Sequence, residues 1–577
     1  FISCKKTKGS FFMSEASVSE KILSEDYADL ILPVTLSGSY FLNAYEQMGG
    51  ELLGNNYGMI HIPLSMLPRD LLAYVGYYNI PKLYTLLDEN SLEVSGILRV
   101  RSQPLLGYTG KDIILGFLDT GINYTLPVFR RSDGRTRIVG IWDQTDQSGT
   151  PPEKLSYGSS YTEDDINLAL RAEDPFSIVS SVDENGHGTL LASIAAGSEN
   201  VIPDFSGAAP DADIAMVKLK PAKKFLRDFQ LIREDAIAFQ ETDLMAGVQY
   251  FLDLANRLKK PLILCIGLGT NQGSHTGSSP LTQVLSFSES IDGFYSIIAA
   301  GNEAGKSHHY AGRLAAPDSV QAVEILVDKE ERGFAVELWA SSPELYAISM
   351  TSPLGETIPT IPARLFQNIT LNFTLEKTRV DISYEIVEAA SGDQLILIRF
   401  TDPTPGIWTL RVENHFYING DFQLWLPVTG FISPQTVFLA PDPDTTITDP
   451  STTLLPLAVS TYDAENGSLY LHSSRGYTRS KEIKPDLSAP GVRVSAVNKN
   501  GNLTAVTGSS AAAAITAGAA ALLINWRLNG KPRHLMTSSE LKNFLIRGAG
   551  RSRDLTYPNR SWGYGTLNVY GVFESLL

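Results

Sequence analysis

Three segments each set a reactive side chain beside glycine: GFLDTG around Asp119, ENGHGTLLASIAAG around His187 and TGSSAAAAITAGAAALL around Ser510. A hydroxyl becomes a useful nucleophile only with a base in hydrogen-bond reach, and that base needs a third group to fix its tautomer and stabilise its charge. Asp119, His187 and Ser510 can fill these three places, with Ser510 attacking a carbonyl carbon. A helix running on from Ser510 would aim backbone N–H groups and a positive dipole end at the developing anion. The AAGNE segment sets Asn302 where a side-chain amide completes an oxyanion hole. Each segment alone has a plainer reading. An acid at a strand end is often a turn or cap residue, and a small-residue helix is usually a packing solution. The order Asp, His, Ser, with GNE between the last two, makes coincidence improbable.

The elements around these residues read as α/β. In GYTGKDIILGFLDTGI an apolar run ends on Asp119 and a glycine, the pattern of a buried parallel strand with a functional residue at its C-terminal end. ADIAMVKL, PLILCIGLG and GFYSIIAAGN read as further strands, and residues 243–259 and 510–525 as helices. Such alternation predicts βαβ crossovers and a mostly parallel sheet with helices on both faces. Alanines and Gly518 let the helix after Ser510 pack tightly. From 321 to 447 the pattern changes to short alternating stretches with turns every 8–12 residues, which predicts an inserted all-β, jelly-roll-like domain. Before the α/β core, residues 27–86 read as a small α/β unit and residues 1–26 as a disordered leader. The core itself divides into 87–320 and 448–577.

The bulk numbers exclude some classes. A chain of 577 residues predicts two to four domains. A charge of −16 spread along the chain argues against nucleic acid, which needs a basic face. Two cysteines, Cys4 and Cys265, offer no disulfide framework, and Cys265 in an apolar run reads as a small buried hydrophobe. No apolar stretch is read as approaching the ~20 residues of a membrane span. The N-terminal FISCKKTKGSFFMSEASVSEK lacks the apolar region of a secretory signal, and Met13 reads as a more natural start than Phe1.

These segments together resemble the subtilisin family. The likeness runs from about residue 96 to the C-terminus through SGAAPDADIAMVK, IIAAGNE, KPDLSAPG, GSSAAAAITAGAAAL and WGYGTLNV, interrupted by the β insertion. It implies a serine endopeptidase acting on a protein or peptide through an acyl-enzyme, with catalytic Asp119, His187 and Ser510 and oxyanion residue Asn302. It also implies a substrate-binding backbone rail at Gly267, Leu268 and Gly269, where the family's Ser-Leu-Gly is altered. The nucleophile helix departs too, with Ser509 and Ala511 flanking Ser510 and with Ala514 and Ile515 in place of proline and histidine.

The family's inhibitory, chaperoning propeptide would correspond to residues 27–86, as an intramolecular partner. Counting back from Gly107–Gly110 puts self-cleavage near 86/87. A propeptide without a signal, joined to a β insertion and GNEAGKSHHY, resembles the Csp germination proteases of clostridial spores, which activate a cortex-lytic hydrolase. Some members of that group have lost triad residues, so a silent scaffold is the alternative to an enzyme. A third reading makes the insertion a recognition module using Trp339 or Trp408, with core packing as their plainer role. His308 and His309 would line the cleft or brace the insertion. No cofactor is called for and no metal-ligand array is present; calcium is common in the family, but acidic loops such as Asp442–Asp444 are too generic to assign a site.

Overall fold

The computed structural model describes residues 16–68, 70–90, 108–365, 367–530 and 534–574. Cys4, Gly107 and most of the expected leader lie outside these residues.

An eight-stranded sheet organises the α/β core. Its spatial order is Leu487–Pro490, Leu457–Tyr462, Phe294–Ala299, Leu262–Ile266, Ile114–Asp119, Asp213–Lys218, Ile138–Asp143 and Ser159–Thr162. All neighbours run parallel except the last pair. Period-two alternation sends successive side chains to opposite faces. Leu115, Phe117, Ile263 and Cys265 pack beneath the helices His187–Ala196 and Ser509–Asn529. Leu118, Leu264 and Ile266 pack against Glu241–Leu258 and Pro280–Ser288 on the other face. Because both faces are covered, these strands are near-continuous apolar runs. This is the α/β architecture expected from the sequence.

The Ser509–Asn529 helix is buried through most of its length. Gly518 is the point of closest approach: a methyl group there would meet Ala208 Cβ at 2.4 Å and the Ala195 carbonyl oxygen at 2.8 Å. By length and composition this 21-residue helix could cross a membrane, against the expectation that no stretch came near. Its most apolar window is 83% buried inside the protein, which makes it a core helix here.

The β insertion is two antiparallel sheets packed face to face. One holds six strands and runs from His309–Arg313 at one edge to Asn368–Asn372 at the other; the second holds five, between Thr357–Ile361 and Val437–Phe438. Phe334, Val336 and Leu338 of one meet Ile325, Trp408 and Leu410 of the other. Its first strand lies ahead of residue 321 because Tyr310 already belongs to this core. Trp408 is buried in the sandwich, and Trp339 in a second core where the sandwich meets the rest of the chain. Neither is available as an exposed recognition aromatic.

The N-terminal unit has a three-stranded antiparallel sheet, ordered Tyr27–Pro33, Tyr57–Pro63, Glu51–Leu53. Within the expected leader, Val18–Leu23 is a helix closed by a Ser17/Glu20 capping box, with Ile22 buried. The reciprocal Ser17 and Glu20 bonds account for that helix start. Asp29 ties the unit to the core, accepting from Lys223 Nζ at 2.8 Å and Gln240 Nε2 at 2.8 Å, with His61 Nδ1 at 2.6 Å. Tyr77 ties it to the sandwich, donating its N–H to Glu385 at 2.5 Å and its hydroxyl to Glu337.

Candidate active site

Asp119, His187 and Ser510 lie 68 and 323 residues apart along the chain, and the sheet brings them together. Asp119 ends a central strand, His187 opens one helix and Ser510 sits in the first turn of another. Both Asp119 carboxylate oxygens stand 2.8 Å from His187 Nδ1. One of them also accepts from the Thr120 N–H at 2.7 Å, which fixes the carboxylate plane. Gly188 permits the approach: a methyl group there would meet the Gly121 carbonyl oxygen at 2.2 Å. Ser510 Oγ donates to the Gly267 carbonyl at 3.0 Å. A methyl group on Gly267 would lie 3.0 Å from Ser510 Cβ and 3.2 Å from His187 Cε1, so both side chains crowd one point of backbone.

The cleft is filled by the chain itself. Leu83–Leu86 pairs antiparallel with Leu268–Gly269 on one side and with Phe239–Gln240 on the other. Leu86 stands opposite Leu268, and Thr85 opposite Gly269. The Leu87 N–H donates to the Gly267 carbonyl at 3.2 Å, and the Leu87 carbonyl accepts from Asn302 Nδ2. The next strand, Asp88–Asn90, pairs with Leu503–Gly508, which leads into the Ser510 helix. Gly267, Leu268 and Gly269 therefore hold an extended backbone. The Leu87 side chain is buried; a methyl group on Gly269 would meet Leu87 Cδ1 at 3.0 Å and Thr448 Oγ1 at 2.5 Å.

Asn302 is oriented from behind. Its Oδ1 accepts the Ser509 N–H at 3.1 Å, leaving the Nδ2 hydrogens for the Leu87 carbonyl. The Gly301 N–H donates to Ser509 Oγ at 3.2 Å, so the altered residue before Ser510 still braces the turn.

Two buried carboxylates at the site carried no role in the sequence reading. Asp183 accepts from Thr120 Oγ1 at 2.8 Å, the Gly186 N–H at 2.7 Å, the Thr189 N–H at 3.0 Å and Thr189 Oγ1 at 2.6 Å. It clamps the turn before His187 to the end of the Asp119 strand; its signal was an acid four residues before the histidine. Glu303, next to Asn302, pairs with His308 Nδ1 at 2.7 Å and accepts from Asn271 Nδ2 at 3.1 Å and the Thr429 N–H at 3.3 Å. Burial pushes its carboxyl up, but His308 and these hydrogen bonds hold it below its ordinary value. His309 stacks on Trp425 with centroids 4.7 Å apart. Both histidines brace the sandwich. Among the described residues no group of three or more His, Cys, Asp or Glu side chains could hold a metal ion.

The model of the subtilase family matches residues 110–363 and 439–565. The unmatched interval between them lies in the β sandwich. Among solved structures, the Clostridium perfringens CspB protease is 30% identical at a TM-score of 0.74, over 83% of this chain and 97% of that one. Two curated relatives from Arabidopsis thaliana are subtilisin-like proteases SBT2.1, 32% identical over 129 residues, and SBT2.2, 33% identical over 128. Each of these matches covers 19% of this chain and only 15% of the relative's length.

Proposed function

Because the chain belongs to the subtilase family of serine peptidases, we propose that it is a serine endopeptidase that cuts its own Leu87–Asp88 bond and then makes limited cuts in a protein substrate. The Ser510 hydroxyl turns from the Gly267 carbonyl to His187 and gives its proton to Nε2, while Nδ1–H stays on Asp119. Oγ bonds to the Leu87 carbonyl carbon, and the negative charge moves to the oxygen that faces Asn302 Nδ2. Collapse breaks the carbon–nitrogen bond, and the Asp88 amine leaves with the proton from His187. Water then releases the Leu87 carboxylate by the same steps in reverse roles. Residues 27–87 act as the inhibitory N-terminal unit, which moves the bond one residue on from the expected 86/87.

The observation that carries this reading is the Leu87 carbonyl on the Asn302 amide, with its N–H on the Gly267 rail. The carbonyl is polarised where charge would develop, and the backbone lies as a substrate's would. The protein substrate suggested by the likeness to the Csp group is a spore cortex-lytic hydrolase. Intact-mass analysis and N-terminal sequencing of the wild type beside Ser510→Ala test the proposal. The wild type should yield a fragment beginning at Asp88, and Ser510→Ala should stay whole. Folded wild type that remains uncut and does not react with a fluorophosphonate probe would support the scaffold alternative.

A further inference from the structure

We propose that Glu303 is a positioning residue that fixes the oxyanion amide of Asn302 by anchoring it to the β sandwich; this rests on the peptidase reading. The turn Gly301-Asn302-Glu303 is gripped from two sides. Toward the nucleophile helix, Asn302 Oδ1 and the Gly301 N–H bond to Ser509. Toward the sandwich, the Glu303 carboxylate, 2% exposed, gathers three donors from separate places. His308 belongs to the segment entering the sandwich, and Thr429 to the connection between its Asp421–Trp425 and Val437–Phe438 strands. Asn271 follows the substrate rail by two residues, and its Nδ2 also reaches the Leu426 carbonyl at 3.2 Å. The entering segment and that connection are bonded to each other, Leu426 N–H to the His308 carbonyl at 2.9 Å.

One carboxylate thus joins the oxyanion turn, the segment after the rail, the entry to the sandwich and a connection between two of its strands. A carboxylate suits this place because it is acceptor-only, and every partner here is a donor. An amide would turn an N–H against one of those donors in a buried site, where an unsatisfied group is costly. Since Glu303 follows Asn302 directly, the only backbone between anchor and oxyanion amide is one peptide link. A loosened anchor would let Nδ2 drift from the Leu87 carbonyl oxygen.

The test is a double-mutant cycle on the self-cleavage rate, which is intramolecular and free of binding terms. Glu303→Gln should slow cleavage about 10-fold, less than the ~10²–10³ typical of losing an oxyanion donor itself. In an Asn302→Ala background the same change should cost less than about 2-fold, because the group it positions is gone. Equal factors in both backgrounds, or unchanged cleavage by Glu303→Gln, would overturn the proposal. If that variant does not fold, His308→Asn replaces it in the same cycle with the same outcomes. A wild type that never cuts would defeat the peptidase reading and this one with it. A wild type that cuts, with additive costs, would defeat this one alone.

Discussion

At Gly267 a methyl group would meet Leu191 Cδ1 at 2.7 Å, Ser510 Cβ at 3.0 Å and His187 Cε1 at 3.2 Å. The same residue's carbonyl receives both the Leu87 N–H and the Ser510 hydroxyl. Gly267→Ala should therefore displace Ser510, His187 and the Leu87 segment together. A misplacement near 1 Å costs ~10²-fold in rate, so self-cleavage followed by gel should slow by about that factor. A variant that cuts at the wild-type rate would show that the site tolerates the methyl group. Removing the amide at Asn302→Ala should cost ~10²–10³-fold by the same assay. The residues of this constellation were legible in the sequence because each sits in a short glycine-marked segment. Glu303 was not, since its donors stand 5, 32 and 126 residues away and no local pattern records them. The expected cleavage near 86/87 rested on counting along a loop, which offers no landmark equivalent to the Leu87 carbonyl on the Asn302 amide.

The helix that carries Ser510 works by being thin. Alanines and Gly518 let it run through the core against the His187 helix and the sheet, so Ser510 and His187 are set by two packed helices. Gly518→Val should overpack the contact with Ala208 and Ala195 and destabilise by about 1–3 kcal/mol. Thermal unfolding in a Ser510→Ala background measures this without interference from processing. An unchanged midpoint would mean the helix can shift. The core strands and helices were readable from apolar periodicity and fell close to their expected bounds. The start of the sandwich and the Val18–Leu23 helix were not. His309–Arg313 takes its place from pairing with distant Asp421–Trp425, and Val18–Leu23 is a short helix whose capping box was not recognised in a polar stretch.

Across the whole molecule the N-terminal unit is held by buried carboxyls with opposed responses to pH. Burial would raise Asp29, but Lys223 and His61 hold it well below its ordinary value, so its contribution is lost only in acid. Glu51 is pushed up to about 7 by burial, with the charges of Asp29 and Asp243 adding to the rise. Glu385, which receives the Tyr77 N–H, is pushed up to about 7 by burial and Glu388. In the docked state these two, one on the unit and one on the sandwich, keep protons that each would give up above the ordinary carboxyl range, about 4.3, once the unit is released. Docking should thus weaken as pH rises from that range through about 7, and level off beyond it. Size-exclusion of the processed protein between about pH 5.5 and 8 would show more released unit at the higher pH, and Glu51→Gln should flatten the trend. A wild-type complex insensitive to pH would contradict the assignment. The strand Leu83–Leu86 is bonded along both flanks. A chain taking its place must offer both backbone edges at once over about five residues, some 17 Å when extended. A helix has spent those groups internally, and a strand inside a sheet has spent one edge or both. The cleft would accordingly sort proteins by local foldedness before reading any side chain, admitting exposed loops and refusing bonds already woven into structure.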